Sequence, residues 1–217
     1  MHTEGRRVAI VGVPESIRRA PLRTVRPQDL QSIYSRPRPQ LARLVHRGAV
    51  VRLAAGYYMA PPDTAAPGWM PGMEIAGLAI ASTIFGADHA ILTGFSAARI
   101  HNAVPRALDV ATVAVPRQHR PTQLDFGGWV RFVKRPVERL DARLEQLDEL
   151  GLGLVTTEEQ TALDLLNPGR NLLLSESDLH ETLSALLQRC DRERLAELAK
   201  AQRRTRTLLK IFREWQL

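Results

Sequence analysis

The chain carries a single cysteine, Cys190, in 217 residues. That excludes a disulfide framework and a cysteine-rich zinc site, and it leaves Cys190 as a small side chain suited to a buried or half-buried position. Long hydrophobic runs are missing too. No stretch approaches the roughly 18 apolar residues of a membrane span. The opening MHTEGRRVAIVGV has two arginines, but its apolar run is too short for a signal peptide and no small-residue cleavage site follows. A cytoplasmic location is expected.

Several catalytic signatures are also lacking. Gly151-x-Gly153 has neither the third glycine nor the helix start of a dinucleotide site. There is no phosphate-cradling Walker loop and no kinase motif set. Ser96 and His101 stand five apart, which puts them on different faces of one helix. His89, His119 and His180 lack metal-ligand spacing. Asp164, within TALDLL, reads as a polar position on an amphipathic helix. No catalytic residue, metal or cofactor is therefore expected.

Acidic residues are scarce in one region. Residues 1–60 hold eleven arginines against Glu4, Glu15 and Asp29, a net of +8, whereas residues 61–217 net −1. The whole positive excess of this +7 chain thus falls on its first quarter, as an electrostatic footprint on a polyanion would.

That basic segment has a pattern. Residues 27–60 (PQDLQSIYSRPRPQLARLVHRGAVVRLAAGYYMA) read as helix, turn, helix and a two-stranded wing, with Leu30, Ile33, Leu41, Leu44 and Val45 as the apolar positions. Pro37 and Pro39 force a break at 35–39, and Gly48 ends the second helix after Arg47. Ala55-Gly56 turns a hairpin between Val50–Leu53 and Tyr57–Met59. With Leu41, Leu44 and Val45 facing inward, Gln40, Arg43, His46 and Arg47 remain outward, and Arg36 and Arg38 stand at the helix entrance. Arginine can bond both acceptors of a guanine edge and glutamine can read adenine, so this helix is a candidate reader of double-stranded DNA.

In chain order, PESIRRA at 14–20 is a short first helix stopped by Pro21. Residues 61–72 (PPDTAAPGWMPG) form a linker between a domain at 1–60 and one at 73–217. The second part begins with an apolar helix over 74–85, then a helix in AILTGFSAARIHNAVP capped by Thr93. Val110–Val115 is a strand, and Trp129–Val133 the strand returning from its loop. Residues 137–155 read both ways: Val137, Leu140, Leu144, Leu147 and Leu150 fit a helix by spacing, whereas Gly151–Thr156 fits a strand. Thr157-Glu158-Glu159-Gln160 opens a helix that Pro168-Gly169 ends. Ser177 caps the next helix, and Asp191 caps a last one running nearly to Leu217. The fold class is α+β: an N-terminal winged helix-turn-helix, then a mixed α/β domain ending in helices.

Three blocks in this order, DLQSIYSRPRPQLARLVHRG with VVRLAAGYYMAP, TGFSAARIHNAVP and VTTEEQTALDLL, resemble the AbiEi family of antitoxins from bacterial type IV toxin–antitoxin pairs, in particular its mycobacterial, MenA-like branch. The resemblance covers most of the chain from about residue 14. It implies a winged helix that binds operator DNA and represses its own operon, and a C-terminal domain that counters a nucleotidyltransferase-type toxin. The DNA-contacting positions it implies are Arg36, Arg38, Gln40, Arg43, Arg47 and the wing around Arg52, and Tyr57 lies on the same wing. Pairing on an inverted repeat is expected. An enzyme that modifies the toxin, or a regulator without a toxin, are the competing readings.

The C-terminus stays open between two roles. Lys200, Arg203, Arg204, Arg206, Lys210 and Arg213 form a basic run without an acid, beside an apolar stripe of Leu208, Leu209, Phe212 and Trp215. A docked terminal helix with solvated arginines and a second contact surface, for DNA backbone or toxin, fit equally well. Residues 61–199 then net −6, which suits a basic partner.

Overall fold

The computed structural model describes residues 13–104, 109–166 and 175–215. Short α1 (Glu15–Arg18) buries Ile17, a 3-10 turn at Pro21–Arg23 follows, and β1 (Thr24–Val25) enters a sheet. The expected first helix of the pair is only a 3-10 turn, Pro27–Leu30. The Asp29 carboxylate accepts from the Arg26 N–H at 2.8 Å, and Leu30 is buried but Ile33 is 49% exposed. One apolar anchor cannot hold a longer helix.

Helix α2 (Pro37–His46) starts with Arg36 as N-cap. Pro37 and Pro39 fall in its first turn, where their missing N–H groups would have had no partner. Gly48, at φ +69°, takes the chain out in the left-handed conformation. Strands β2 (Val51–Ala54) and β3 (Tyr57–Met59) form the hairpin around Gly56, at φ +87°. β1 adds to the far side of β3, giving the antiparallel order β1-β3-β2. One side of this sheet, with Val25, Val50 and Ala60, shares a core with Ile17, Leu30, Leu41 and Leu44. Leu53 and Met59, with Leu22, instead join the main core around α3 (Met73–Phe85).

α3 is apolar all round, and every residue from Glu74 to Ser82 is buried. Such a helix has no solvent face to offer. It packs between the three-stranded sheet and a six-stranded one. The latter contains β4 (Ile91–Leu92), β5 (Val110–Val115), β6 (Thr122–Gln123), β7 (Trp129–Lys134), β8 (Ala142–Gln146) and β9 (Leu152–Thr156) in the order β6-β7-β5-β4-β9-β8. Gly77 sits where α3 crosses β5: a Cβ there would lie 2.6 Å from Ala111 Cβ and 3.5 Å from Val130 Cγ1. Gly77→Val should therefore overpack the helix–sheet seam and cost about 1–3 kcal/mol of unfolding free energy. Urea titration checks it; an unchanged midpoint would mean that the seam is looser than it looks.

The remaining helices are α4 (Phe95–Ile100), α5 (Glu158–Leu165), α6 (Glu176–Leu187), α7 (Arg192–Ala201) and α8 (Thr205–Trp215). Leu163, Leu183, Leu186, Leu195 and Leu208 knit most of them into a second core with Phe95. Five expectations need correction. β7 does not return antiparallel to β5 but runs parallel to it, because the intervening β6 reverses the chain first and pairs antiparallel with β7. Residues 142–146 are a strand, held by β9, rather than part of a helix. Gly94, not Thr93, is the N-cap of α4, and Ser175 rather than Ser177 caps α6, accepting from the Asp178 N–H at 3.2 Å. The last helix is two: Asp191 caps α7 as expected, but Arg203 at φ +56° breaks the chain before α8. Pro168 and Gly169 lie outside the described residues; α5 ends at Leu165.

A candidate nucleic-acid interface

Nine arginines lie between residues 13 and 60. Five are matched to acids. Arg18 and Arg23 meet Asp63 at 3.8 and 3.0 Å, Arg19 meets Glu15 at 2.7 Å, and Arg26 meets Asp29 at 3.2 Å. Arg52 pairs with Asp125 of the β6–β7 turn. The other four, Arg36, Arg38, Arg43 and Arg47, are exposed, and among the described residues none of the ion pairs or hydrogen bonds involves their guanidinium groups. All four belong to α2 or its caps. The unmatched charge has been gathered onto one helix.

Local structure explains the gathering. Leu41 and Leu44, three apart, turn inward and are buried, which leaves Arg43 and Arg47, four apart, on the opposite side. His46 is exposed beside them, and Gln40 is half-buried at the edge of the stripe. Arg43 and His46 fall in the last turn, where positive charge also suits the helix dipole. Guanidinium groups held this way present forked donors to bidentate acceptors such as phosphate or a guanine edge. Behind the C-terminal end of α2, a groove of about 1090 Å³ runs between Arg47, the β2–β3 hairpin and residues 61–70.

The hairpin residues differ from the helix residues. Arg52 is exposed, but Asp125 accepts from its Nε, and this bond, with the carboxylate's charge, raises the guanidinium pKa above its ordinary value. Neighbouring Leu53 C=O accepts from the Asp125 N–H at 2.9 Å, so the hairpin is tied to the larger sheet twice. Tyr57 is half-buried against the main core, and that burial raises its phenol pKa.

At the C-terminus the basic run divides. Lys200, Arg203, Arg206 and Arg213 are exposed. Arg204 turns inward: its Nη1 donates to Leu163 C=O at 2.8 Å and lies 3.9 Å from Asp164. The Lys210 and Trp215 side chains lie outside the described residues. Leu208 is buried and Phe212 packs on the same cluster, which docks α8, whereas Leu209 is 50% exposed.

Asp164 proves far more embedded than an amphipathic helix position. It is 3% exposed, and Thr93 Oγ1, Arg135 Nη1 and Gln160 Nε2 all donate to its carboxylate, at 2.7, 3.0 and 3.2 Å. Gln160 also pairs with Gln202, at the break between α7 and α8. One carboxylate thus ties together β4, β7, α5 and the C-terminal helices. The signal was present: in TALDLL, Asp164 has apolar neighbours on both sides, leaving α5 no solvent face. A satisfied, closed network of this kind has structural rather than catalytic chemistry.

A second set lies at the start of α5. Glu158 meets His101 Nδ1 at 3.6 Å and Arg143 at 3.1 Å. Burial works to raise its carboxyl pKa, but its own N–H, His101 and Arg143 together bring it below the ordinary value. Burial, with Glu159 and Glu158 nearby, pushes the Cys190 thiol up to about 12, the mark of an inert rather than a nucleophilic cysteine. Ser96 is used up as well, its Oγ accepting from the Thr112 N–H at 2.8 Å.

Among the described residues no cluster of His, Cys, Asp and Glu could hold a metal ion, and no helix is long and apolar enough to cross a membrane. No protein-family model matches the chain, and no curated protein matches it.

Proposed function

We propose that this chain is a DNA-binding antitoxin that represses its own operon, with α2 as the reading helix of a winged helix-turn-helix. The observation that carries the proposal is the set of four exposed arginines on α2 and its caps, unmatched by acids while the other five of the segment are paired. A 3-10 turn precedes α2 and the β2–β3 hairpin follows it, with β1, from before the turn, completing the three-stranded sheet; a helix exposed in this way can enter the major groove. Arg36, Arg38, Gln40 and Arg43 read bases in this arrangement, and Arg47 holds phosphate. The toxin half of the proposal rests on the AbiEi-like blocks and on the −6 net charge of residues 61–199, which suits a basic nucleotidyltransferase-type partner in the cytoplasm.

The test is binding of the full chain to the DNA immediately upstream of its own gene, titrated across salt and against scrambled DNA. Each phosphate that the chain neutralises adds about −0.9 to the log–log salt slope. Selective, salt-sensitive binding is expected. Equal affinity for scrambled DNA at every salt would sink the repressor reading.

A further inference from the structure

The two ends of the six-stranded sheet are treated differently. At one, β6 is only two residues long and follows Pro121, so it offers almost nothing to pair with. A short strand beside a proline is a common protection for a sheet edge. At the other, β8 spans five residues, Ala142–Gln146, and among the described residues its outer side pairs with no strand. It carries no proline and no lysine. Its central residue is Leu144, 60% exposed, and Leu152, 56% exposed, lies diagonally beside it on the same sheet face of β9.

The hydrogen-bond phase of β8 is fixed by its flanks. Thr157 N–H donates to Asp141 C=O and Leu147 N–H to Gly151 C=O. Odd-numbered residues therefore bond to β9, and the alternation of an antiparallel ladder turns the N–H and C=O of Ala142, Leu144 and Gln146 outward. Those groups form a ready ladder for one more antiparallel strand.

We infer that β8 is the interface through which two copies of this chain pair, antiparallel and two-fold symmetric about Leu144. The sequence of β8, Ala-Arg-Leu-Glu-Gln, is complementary to itself in that register. Leu144 of one copy lies opposite Leu144 of the other in a hydrogen-bonded pair, and Ala142 lies opposite Gln146. Arg143 then faces Glu145 twice, at the non-hydrogen-bonded positions where opposing side chains come closest. Arg143 and Glu145 already touch within one chain, so pairing builds an alternating row of four charges. On the other face the exposed leucines at 144 and 152 of both copies meet in one apolar patch. A second copy satisfies backbone, charge and apolar groups together. An isologous pair is also the commonest oligomer of a soluble chain.

Because the strand is short, the interface is small and the dimer weak and concentration-dependent. The inference stands apart from the DNA-binding reading, since its test needs no DNA. Sedimentation equilibrium of the full chain should show a monomer–dimer equilibrium. R143E and E145R should each raise the dimer dissociation constant about tenfold or more, because each sets like charges opposite one another twice. Mixed in equal amounts, the two variants should associate, since one chain then carries acids at both positions and the other arginines at both. Leu144→Lys should abolish pairing without changing the far-ultraviolet circular dichroism, Leu144 being exposed. A wild-type chain that stays monomeric at about 200 µM would overturn the inference, as would a dimer unaffected by L144K. Failure of the mixed variants to associate, with both folded, would overturn the register.

Discussion

Asp164→Ala should lower the unfolding free energy by about 3–5 kcal/mol, the range for breaking a buried ion pair by removing one partner. The loss comes mainly from what is left behind. Arg135, with its side chain 9% exposed, keeps its charge and loses the carboxylate 3.0 Å away, while Thr93 and Gln160 lose their acceptor. Asp164→Asn keeps the shape but not the charge, and it should fall between the wild type and the alanine variant. Replacing both partners by apolar residues, as in D164L with R135M, should cost less than the sum of the single changes, because no uncompensated charge remains. Since Gln160 and Arg204 connect the same network to the α7–α8 corner, hydrogen exchange should rise first in those helices. Denaturant unfolding of wild type, D164L, R135M and the double variant gives the coupling energy directly. An alanine variant within about 0.5 kcal/mol of wild type, the spread of ordinary surface changes, would mean that the carboxylate holds nothing together.

That network shows where sequence reasoning stops. Helix α2 and the β2–β3 hairpin are legible because Pro37, Pro39, Gly48 and Gly56 punctuate them, and the backbone conformations they impose are local properties. Likewise Thr157 and Asp191 cap the helices they announce, accepting from the Gln160 N–H at 3.3 Å and the Glu193 N–H at 2.9 Å. β1 and β4 are not legible, since two residues cannot display an alternation. The parallel pairing of β5 with β7 is hidden for a different reason: it depends on where β6 inserts, a long-range choice that a loop of ordinary turn residues does not reveal. Among the candidate site residues, Arg36, Arg38, Arg43 and Arg47 are exposed on the element the pattern assigns them. Arg52 and Arg204 are placed by pattern too, but their partners, Asp125 and Leu163, are 73 and 41 positions away. A side chain's availability is set by such distant partners, and the sequence alone does not show them.

The same distinction separates the arginines in their expected effect on DNA binding. Arg43→Ala should cost about 1–3 kcal/mol on the preferred operator and relax the preference at one base position, as loss of a base-reading contact does. Arg47→Ala, at the C-terminal end of α2 beside the groove, should weaken all sequences alike and make the salt slope shallower by about 1. Arg52→Ala should do markedly less than Arg47→Ala. Its charge is already answered by Asp125, so a phosphate must displace a carboxylate before gaining the contact, and removal of Arg52 forfeits only the difference. Conversely, Asp125→Asn should free Arg52 and steepen the salt slope. None of these changes touches a buried side chain except through the hairpin tie, so thermal stability should move little; Arg43→Ala should lose only about 0.3–1 kcal/mol of favourable helix-end charge. Fluorescence anisotropy on operator and scrambled duplexes at several salt concentrations separates the cases. If Arg43→Ala and Arg47→Ala both left affinity and slope unchanged while Arg52→Ala abolished binding, the hairpin and not α2 would be the element that meets DNA.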